Sequence, residues 1–196
     1  MDAEYMKLVV TGSFNAGKTT FIQTVNEIDG VSTEVQTMEK RNVKRQTTVA
    51  MDFGRVTLSG GLRLHLVGTP GQRRFSFMWE TLILECNGVL MLVDSSEAES
   101  LDETSRMFDF FAVRLGDAPM FVVANKQDHP QALSPTRIER SLNLVTAGCG
   151  GNGGREVALL PAPGCVAHDR ACVLAILESI APHLEQRGNG AGESRP

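Results

Sequence analysis

Gly12-Ser13-Phe14-Asn15-Ala16-Gly17-Lys18-Thr19 is the stretch whose reading decides the fold: a glycine, four residues, a glycine, a lysine and a hydroxyl residue. Before it, Lys7-Leu8-Val9-Val10-Thr11 reads as a short buried strand. After it, Thr20-Phe21-Ile22-Gln23-Thr24-Val25 spaces Phe21, Ile22 and Val25 as one face of a helix does. Strand, glycine loop and helix start together read as a phosphate-binding loop. Gly12 and Gly17 let the backbone wrap so that successive N–H groups point at one anion, and the helix start adds its positive dipole end. The residues read as phosphate-binding are Gly12, Asn15, Ala16, Gly17, Lys18, Thr19 and Thr20. Lys18 would reach the β- and γ-phosphates, and the Thr19 hydroxyl would sit on Mg²⁺. The competing reading is a glycine-containing turn without a ligand, and the flanking strand and helix weigh against it.

Bulk properties bound the rest. A chain of 196 residues, 42% of them hydrophobic, buries one full core and leaves little for a second. Nineteen basic and 23 acidic side chains give a net charge of −4, so no global charge draws the chain to nucleic acid or acidic membranes. Val89–Val93 and Met120–Ala124 are the most apolar runs, and each has the length of a buried strand. Met1-Asp2-Ala3-Glu4 lacks a signal sequence, residue 2 is not the glycine of myristoylation, and the C-terminal end carries no prenylation box. A cytoplasmic protein without a membrane anchor is the expectation. Cys149, Cys165, His168 and Cys172 raise the idea of a zinc site, but the short Cys-x₂-Cys spacing is missing; reduced thiols are expected instead.

In chain order, 29–46 is polar with little periodicity and reads as a long functional loop. Val49–Leu58 reads as one strand, Ser59-Gly60-Gly61 as a hairpin turn, and Leu62–Val67 as the return strand, with His65 a packed strand residue. Gly68-Thr69-Pro70-Gly71-Gln72-Arg73-Arg74-Phe75 follows a buried strand and reads as a loop facing a terminal phosphate. Helices are expected over 78–85, 101–115, from Pro135 behind a Ser134 cap to about 142, and over 169–184. Strands are expected over 89–94, from Pro119 into Asn125, and over 156–160. The domain expected is 1–187, with a Gly-rich insertion at about 147–154 and a disordered tail over 188–196. Alternating strands and helices give an α/β fold: a mostly parallel six-stranded sheet, helices on both faces, one antiparallel strand pair.

Four loops thus stand at strand ends in a fixed order, where ligands bind in open α/β sheets. Together they resemble the Ras-like small GTPases of the P-loop class, from Lys7 to about Leu184. Asn125-Lys126-Gln127-Asp128 matches the guanine-reading Asn-Lys-x-Asp motif. The carboxylate of Asp128 can accept from guanine N1–H and the 2-amino group together, a donor pair adenine lacks. Lys126 can lie along the base, and Asn125 can tie this loop to the phosphate loop. Within the superfamily, Thr47–Gly54 and Gly68–Phe75 are most similar to prokaryotic gliding-polarity GTPases (mutual gliding protein A) and to actinobacterial conservon GTPases. The resemblance implies GTP and GDP as ligands with Mg²⁺ held by Thr19 and Thr48, and roles for Lys18, Thr48 and Gln72 in slow hydrolysis. Gln72 would orient the attacking water and Gly71 would donate its N–H to the γ-phosphate. Ala167, in Cys165-Val166-Ala167-His168, would donate to guanine O6. It also implies a Roadblock/LC-type activating partner on the switches, beside effectors the sequence does not name.

Two departures stand out. Ras-like proteins usually open the second switch with Asp, which holds Mg²⁺ through water, and here that position is Gly68. Asp52 reads as too distant to replace it, since four residues along a strand from Thr48 span about 13 Å. The gliding-polarity proteins carry an arginine just before the switch threonine, whereas this chain has Thr47, with Arg45 two residues earlier. Without a positive charge at the transition state, hydrolysis forfeits a factor on the order of 10³ or more. Arg73 and Arg74 offer compensation or form a solvated basic turn. The alternative to a switch is therefore a nucleotide-binding scaffold with little turnover. Arg73, Arg74, Phe75, Phe77, Met78 and Trp79 crowd behind Gln72, and Trp79 is expected to anchor the partner.

Overall fold

Leu8, Val9, Val10 and Thr11 are fully buried, and a strand apolar on both faces belongs inside a sheet covered on both sides. They end β1 (Tyr5–Thr11), an interior strand of a six-stranded sheet. The structure, a computed structural model, describes residues 5–28, 33–37, 47–71, 73–116, 118–142, 158–159 and 164–188. Around β1 lie β4 (Phe53–Thr57), β5 (Arg63–Gly68), β6 (Gly88–Asp94), β7 (Met120–Asn125) and β8 (Ala158–Leu159), in the order β4-β5-β1-β6-β7-β8. Every pairing is parallel except β4 with β5. This is the α/β sheet that the alternation of elements predicts.

Helices cover both faces. On one, α1 (Lys18–Val25) and α5 (Arg170–Gly188) pack Phe21, Ile22, Val173, Leu177 and Ile180 onto Leu8, Val10 and Leu90. On the other, α2 (Phe77–Leu82), α3 (Leu101–Arg114) and α4 (Pro135–Ser141) set Trp79, Met107, Phe111 and Ile138 against Val9, Val89 and Met91. The Ser134 hydroxyl accepts from the Arg137 N–H at 3.3 Å, and Pro135 fills the first turn, as the local sequence dictates. His65 packs in β5, its ring stacked on Tyr5 at 4.1 Å. Among the described residues no helix is long and apolar enough to cross a membrane.

The structure departs from the sequence reading at three places. Residues 29–46 read as loop, yet β2 (Thr33–Thr37) pairs antiparallel with β3 (Thr47–Met51) in a ribbon outside the main sheet. A strand reading Thr-Glu-Val-Gln-Thr has no apolar face, so its periodicity carries little signal. The strand over 49–58 breaks at Asp52: β3 belongs to the ribbon and β4 to the sheet. The last helix runs on to Gly188. The insertion at 147–154 and residues 189–196 lie outside the described residues.

Trp79 is a fourth correction. It is 4% exposed, its indole N–H donates to Pro70 O at 3.0 Å, and its ring packs on Phe110 and Phe111 at 5.3 and 5.7 Å. A six-residue helix has little surface with which to hold a sheet, so it uses its largest side chain as the anchor. Its neighbours Arg74 and Phe77 stay exposed. Trp79→Ala is expected to cost about 3–5 kcal/mol in urea unfolding, through the cavity and the orphaned Pro70 carbonyl. A cost under about 1 kcal/mol would show that Trp79 is not the anchor of α2.

Candidate functional site

β1 has β5 on one side and β6 on the other, so the chain leaves its C-terminal end where the sheet order reverses and a crevice must open. Gly12 takes φ 145° and Gly17 φ 94°, backbone that disfavours any side chain. Space forbids one as well. A Cβ on Gly12 would lie 2.3 Å from the Leu92 carbonyl oxygen, and one on Gly17 would lie 2.4 Å from Asn125 Nδ2. Asn15, at φ 67°, takes the left-handed conformation that asparagine tolerates. The loop between β1 and α1 is therefore wound tightly, as its glycines predict.

Lys18 folds back over this loop. Its Nζ donates to Gly12 O at 2.9 Å and to Ser13 O at 2.7 Å. Burial lowers its pKa to about 8, with the carboxylates of Asp52 and Glu103 working the other way. The next loop closes against it: Thr69 N–H donates to Val10 O at 2.9 Å, and the Thr69 hydroxyl to that of Thr11 at 2.9 Å. Gly71 then comes so close that a Cβ there would stand 2.7 Å from Lys18 Nζ. Gln72 lies outside the described residues. Thr48 lies in β3 opposite Gln36, its side chain likewise outside them.

At the other end, Asn125 joins three segments. It is 1% exposed, its Nδ2 donates to Ala16 O at 2.8 Å, and its Oδ1 accepts from Ala167 N–H at 3.0 Å. Asn125, Lys126, Asp128 and Ala167 face Gly17 and Thr20 across a cleft of about 240 Å³. Lys126, at φ 62°, donates its Nζ to Asp94 Oδ2 at 2.5 Å. Burial works against the Asp94 charge, but donation from Lys126 and Ser96 outweighs it and holds the carboxyl below its usual range. Thr24 and Arg170 close the rear: the Thr24 hydroxyl donates to Ala167 O at 2.7 Å and the Arg170 guanidinium to Thr24 O at 3.0 Å.

Three positions take places that the sequence reading does not give them. His129 lines the cleft next to Asp128, and His168, weighed in the sequence for a zinc site, lines it next to Ala167. Asp52 is the larger surprise. The Thr19 hydroxyl donates to Asp52 Oδ2 at 2.5 Å, so the carboxylate judged too distant from Thr48 meets the other predicted metal residue. A hydroxyl and a carboxylate in contact are hard oxygen donors of the kind Mg²⁺ takes, so the residues present fit that ion. Among the described residues no cluster of three or more His, Cys, Asp or Glu could hold a metal by itself, and a phosphate-bound Mg²⁺ needs none.

A family model described as the ADP-ribosylation factor family matches residues 1–162. The ADP-ribosylation factor-related protein 1 of Rattus norvegicus is 30% identical over 151 residues, 73% of this chain and 70% of that protein. The ADP-ribosylation factor-like protein 3 of Saccharomyces cerevisiae is 28% identical over 144 residues, 72% of this chain and 70% of that one. The solved structure of the Arl6 BBS3 small GTPase from Trypanosoma brucei with bound nucleotide analogue GppNp superposes with a TM-score of 0.68. It covers 93% of this chain and 99% of that one at 18% identity, a likeness of fold. These relatives are eukaryotic, so the prokaryotic gliding-polarity resemblance rests on its motifs alone.

The state of Lys18 gives the site a pH signature. A bound phosphate favours the charged amine and raises its pKa above about 8. Binding of a nucleoside diphosphate is therefore unaffected by this group well below pH 8. As pH rises past 8, binding takes up a proton and affinity falls, by up to about tenfold per pH unit. Calorimetry in buffers of different ionisation enthalpy measures that proton. A proton count of zero at pH 9 would show that Lys18 stays charged in the free loop.

Proposed function

The chain belongs to the ADP-ribosylation factor family of Ras-like small GTPases, and we propose that it is a slow GTP-hydrolysing switch in prokaryotic signalling or polarity control. Proteins of this family bind GTP and GDP and generally hydrolyse GTP. The observation that carries the reading to this chain is the Asn125 bridge, which sets Asp128 and Ala167 around one cleft and the lysine loop at its end. In this reading Gly12, Asn15, Ala16, Gly17, Lys18, Thr19 and Thr20 hold the phosphates. Asp128 accepts from guanine N1–H and the 2-amino group, Lys126 lies along the base, and Ala167 N–H faces O6. When bound, Mg²⁺ would offset charge on the phosphate oxygens, with the Thr19 and Thr48 hydroxyls as its protein donors.

Gln72 orients the water and Gly71 N–H meets the γ-phosphate; the approach of Gly71 to Lys18 supports placing the loop there. A Roadblock/LC-type partner would then supply or arrange the missing positive charge. The exposed residues at this mouth support a docked partner, since Phe14 is 61% and Phe77 50% exposed to water. The second reading, a scaffold that binds nucleotide with little turnover, rests on Thr47 and Gly68, where the arginine and aspartate of related proteins are missing.

Competition against labelled GDP tests the nucleotide: excess unlabelled GTP is expected to displace it and excess ATP to leave it in place. Equal displacement by ATP would refute the guanine assignment. Single-turnover phosphate release at saturating Mg²⁺ tests the switch against the scaffold. Gln72→Leu is expected to slow it by about 10–100-fold. A wild-type rate that Gln72→Leu does not change would favour the scaffold.

A further inference from the structure

Asp52 sits where two strands diverge. It ends the run that β3 shares with the ribbon and precedes β4, so its side chain answers to neither strand's alternation. Its backbone is nevertheless fixed, because Gly68 N–H donates to Asp52 O at 2.8 Å, continuing the β4–β5 ladder by one residue. Residues 52 and 68 therefore face each other across an antiparallel pair, at the end of β5 beside the phosphate loop.

The space between them is tight for two side chains. A Cβ on Gly68 would lie 3.1 Å from Asp52 Cβ, 3.1 Å from Ile22 Cδ1 and 3.4 Å from Asp52 O. Position 68 is bare, and the carboxylate that occupies this corner comes from Asp52 on the neighbouring strand. It is half-buried, and the residue its Oδ2 meets is Thr19, at 2.5 Å. The charge of Asp52 also acts on the Lys18 ammonium, in keeping with a carboxylate at the phosphate end of the loop.

We propose that Asp52 is the positioning carboxylate of the magnesium site, delivered from the edge strand across Gly68 and acting on the metal through its water shell beside the Thr19 hydroxyl. This rests on the nucleotide reading above and adds a residue that reading does not use. Mg²⁺ keeps most of its waters when bound to phosphates, and an acidic side chain beside the ligating hydroxyl accepts from those waters and orients them. Asp52→Asn keeps the shape and the Thr19 contact while removing the charge. The double variant Asp52→Gly with Gly68→Asp moves the carboxylate to the facing strand, into the space that the first change vacates.

The test loads the full chain with GDP carrying a fluorescent N-methylanthraniloyl group and follows its release against free Mg²⁺. Wild type is expected to release slowly once Mg²⁺ saturates. Asp52→Asn is expected to need about 10–100-fold more free Mg²⁺ for the same retention, the usual cost of losing an outer-shell partner. Its release rate in EDTA should match wild type, which a merely structural role would not allow. The double variant should recover the Mg²⁺ requirement to within about threefold of wild type. An unshifted Mg²⁺ requirement in Asp52→Asn overturns the proposal, and so does release that is accelerated equally with and without the metal. Failure of the wild-type chain to retain labelled GDP at any Mg²⁺ is a separate result, which overturns the nucleotide reading itself.

Discussion

The site depends on the side-chain amide of Asn125. With no access to water, it must satisfy its donors and acceptor inside the protein, and it does so by linking Ala16 O to Ala167 N–H. Three loops from distant parts of the chain meet at this one group. It also dictates sequence elsewhere, because any side chain on Gly17 would occupy the place of its Nδ2. The phosphate loop and the base loop are thus one rigid unit, and a change to either is felt by the other.

A second constraint works through strand register. Phe53 faces Val67 and Thr57 faces Arg63, so the β4–β5 hairpin is centred on Gly60. Each residue before the turn is matched to one after it, and the register carries position 52 to position 68. Neighbouring strands lie about 4.8 Å apart, so a carboxylate on either can serve one spot. The missing aspartate at position 68 and the unexpected Asp52–Thr19 contact are then two sides of one arrangement. A Cβ at position 68 would press on that of Asp52 at 3.1 Å, so the corner favours a side chain at one of the two positions.

Much of this was legible in the sequence. The glycine loop, the strand before it and the Asn125 motif announce themselves because their spacing follows from backbone geometry that few residues permit. The sheet followed from short apolar runs such as Val89–Val93, whose complete burial matches their composition. What stayed hidden depends on contacts distant in sequence. Along one straight strand Thr48 and Asp52 lie far apart, whereas counting outward from Gly60 sets Asp52 opposite Gly68 and so beside the phosphate loop. Trp79 misled for a related reason: a lone aromatic near a functional loop suits an interface and an anchor equally, and the facing Phe110 and Phe111 decide it. The polar strand Thr33–Thr37 had no apolar stripe to betray it.

The two ends of the site are built differently, and the difference bears on how a switch works. At the base end, Asn125, Ala167 and Asp94 are buried, and hydrogen bonds to α1 and β6 hold the loops in place. At the phosphate end, Phe14 and Thr19 are exposed, Lys18 donates among the described residues to carbonyls of its own loop, and the chain is tied down at Thr69, two residues before Gly71. A ligand's base therefore meets a preformed surface, whereas its terminal phosphate must draw Lys18 away from Gly12 O and Ser13 O. That exchange trades neutral acceptors for an anionic one, a stronger partner for an ammonium. In the proposed reading, the energy that distinguishes a triphosphate from a diphosphate is released beside Gly71, next to the 3₁₀ turn Arg73–Phe75 and the exposed Phe77. Differential contact of that kind is what a two-state element requires if its equilibrium is to follow the nucleotide.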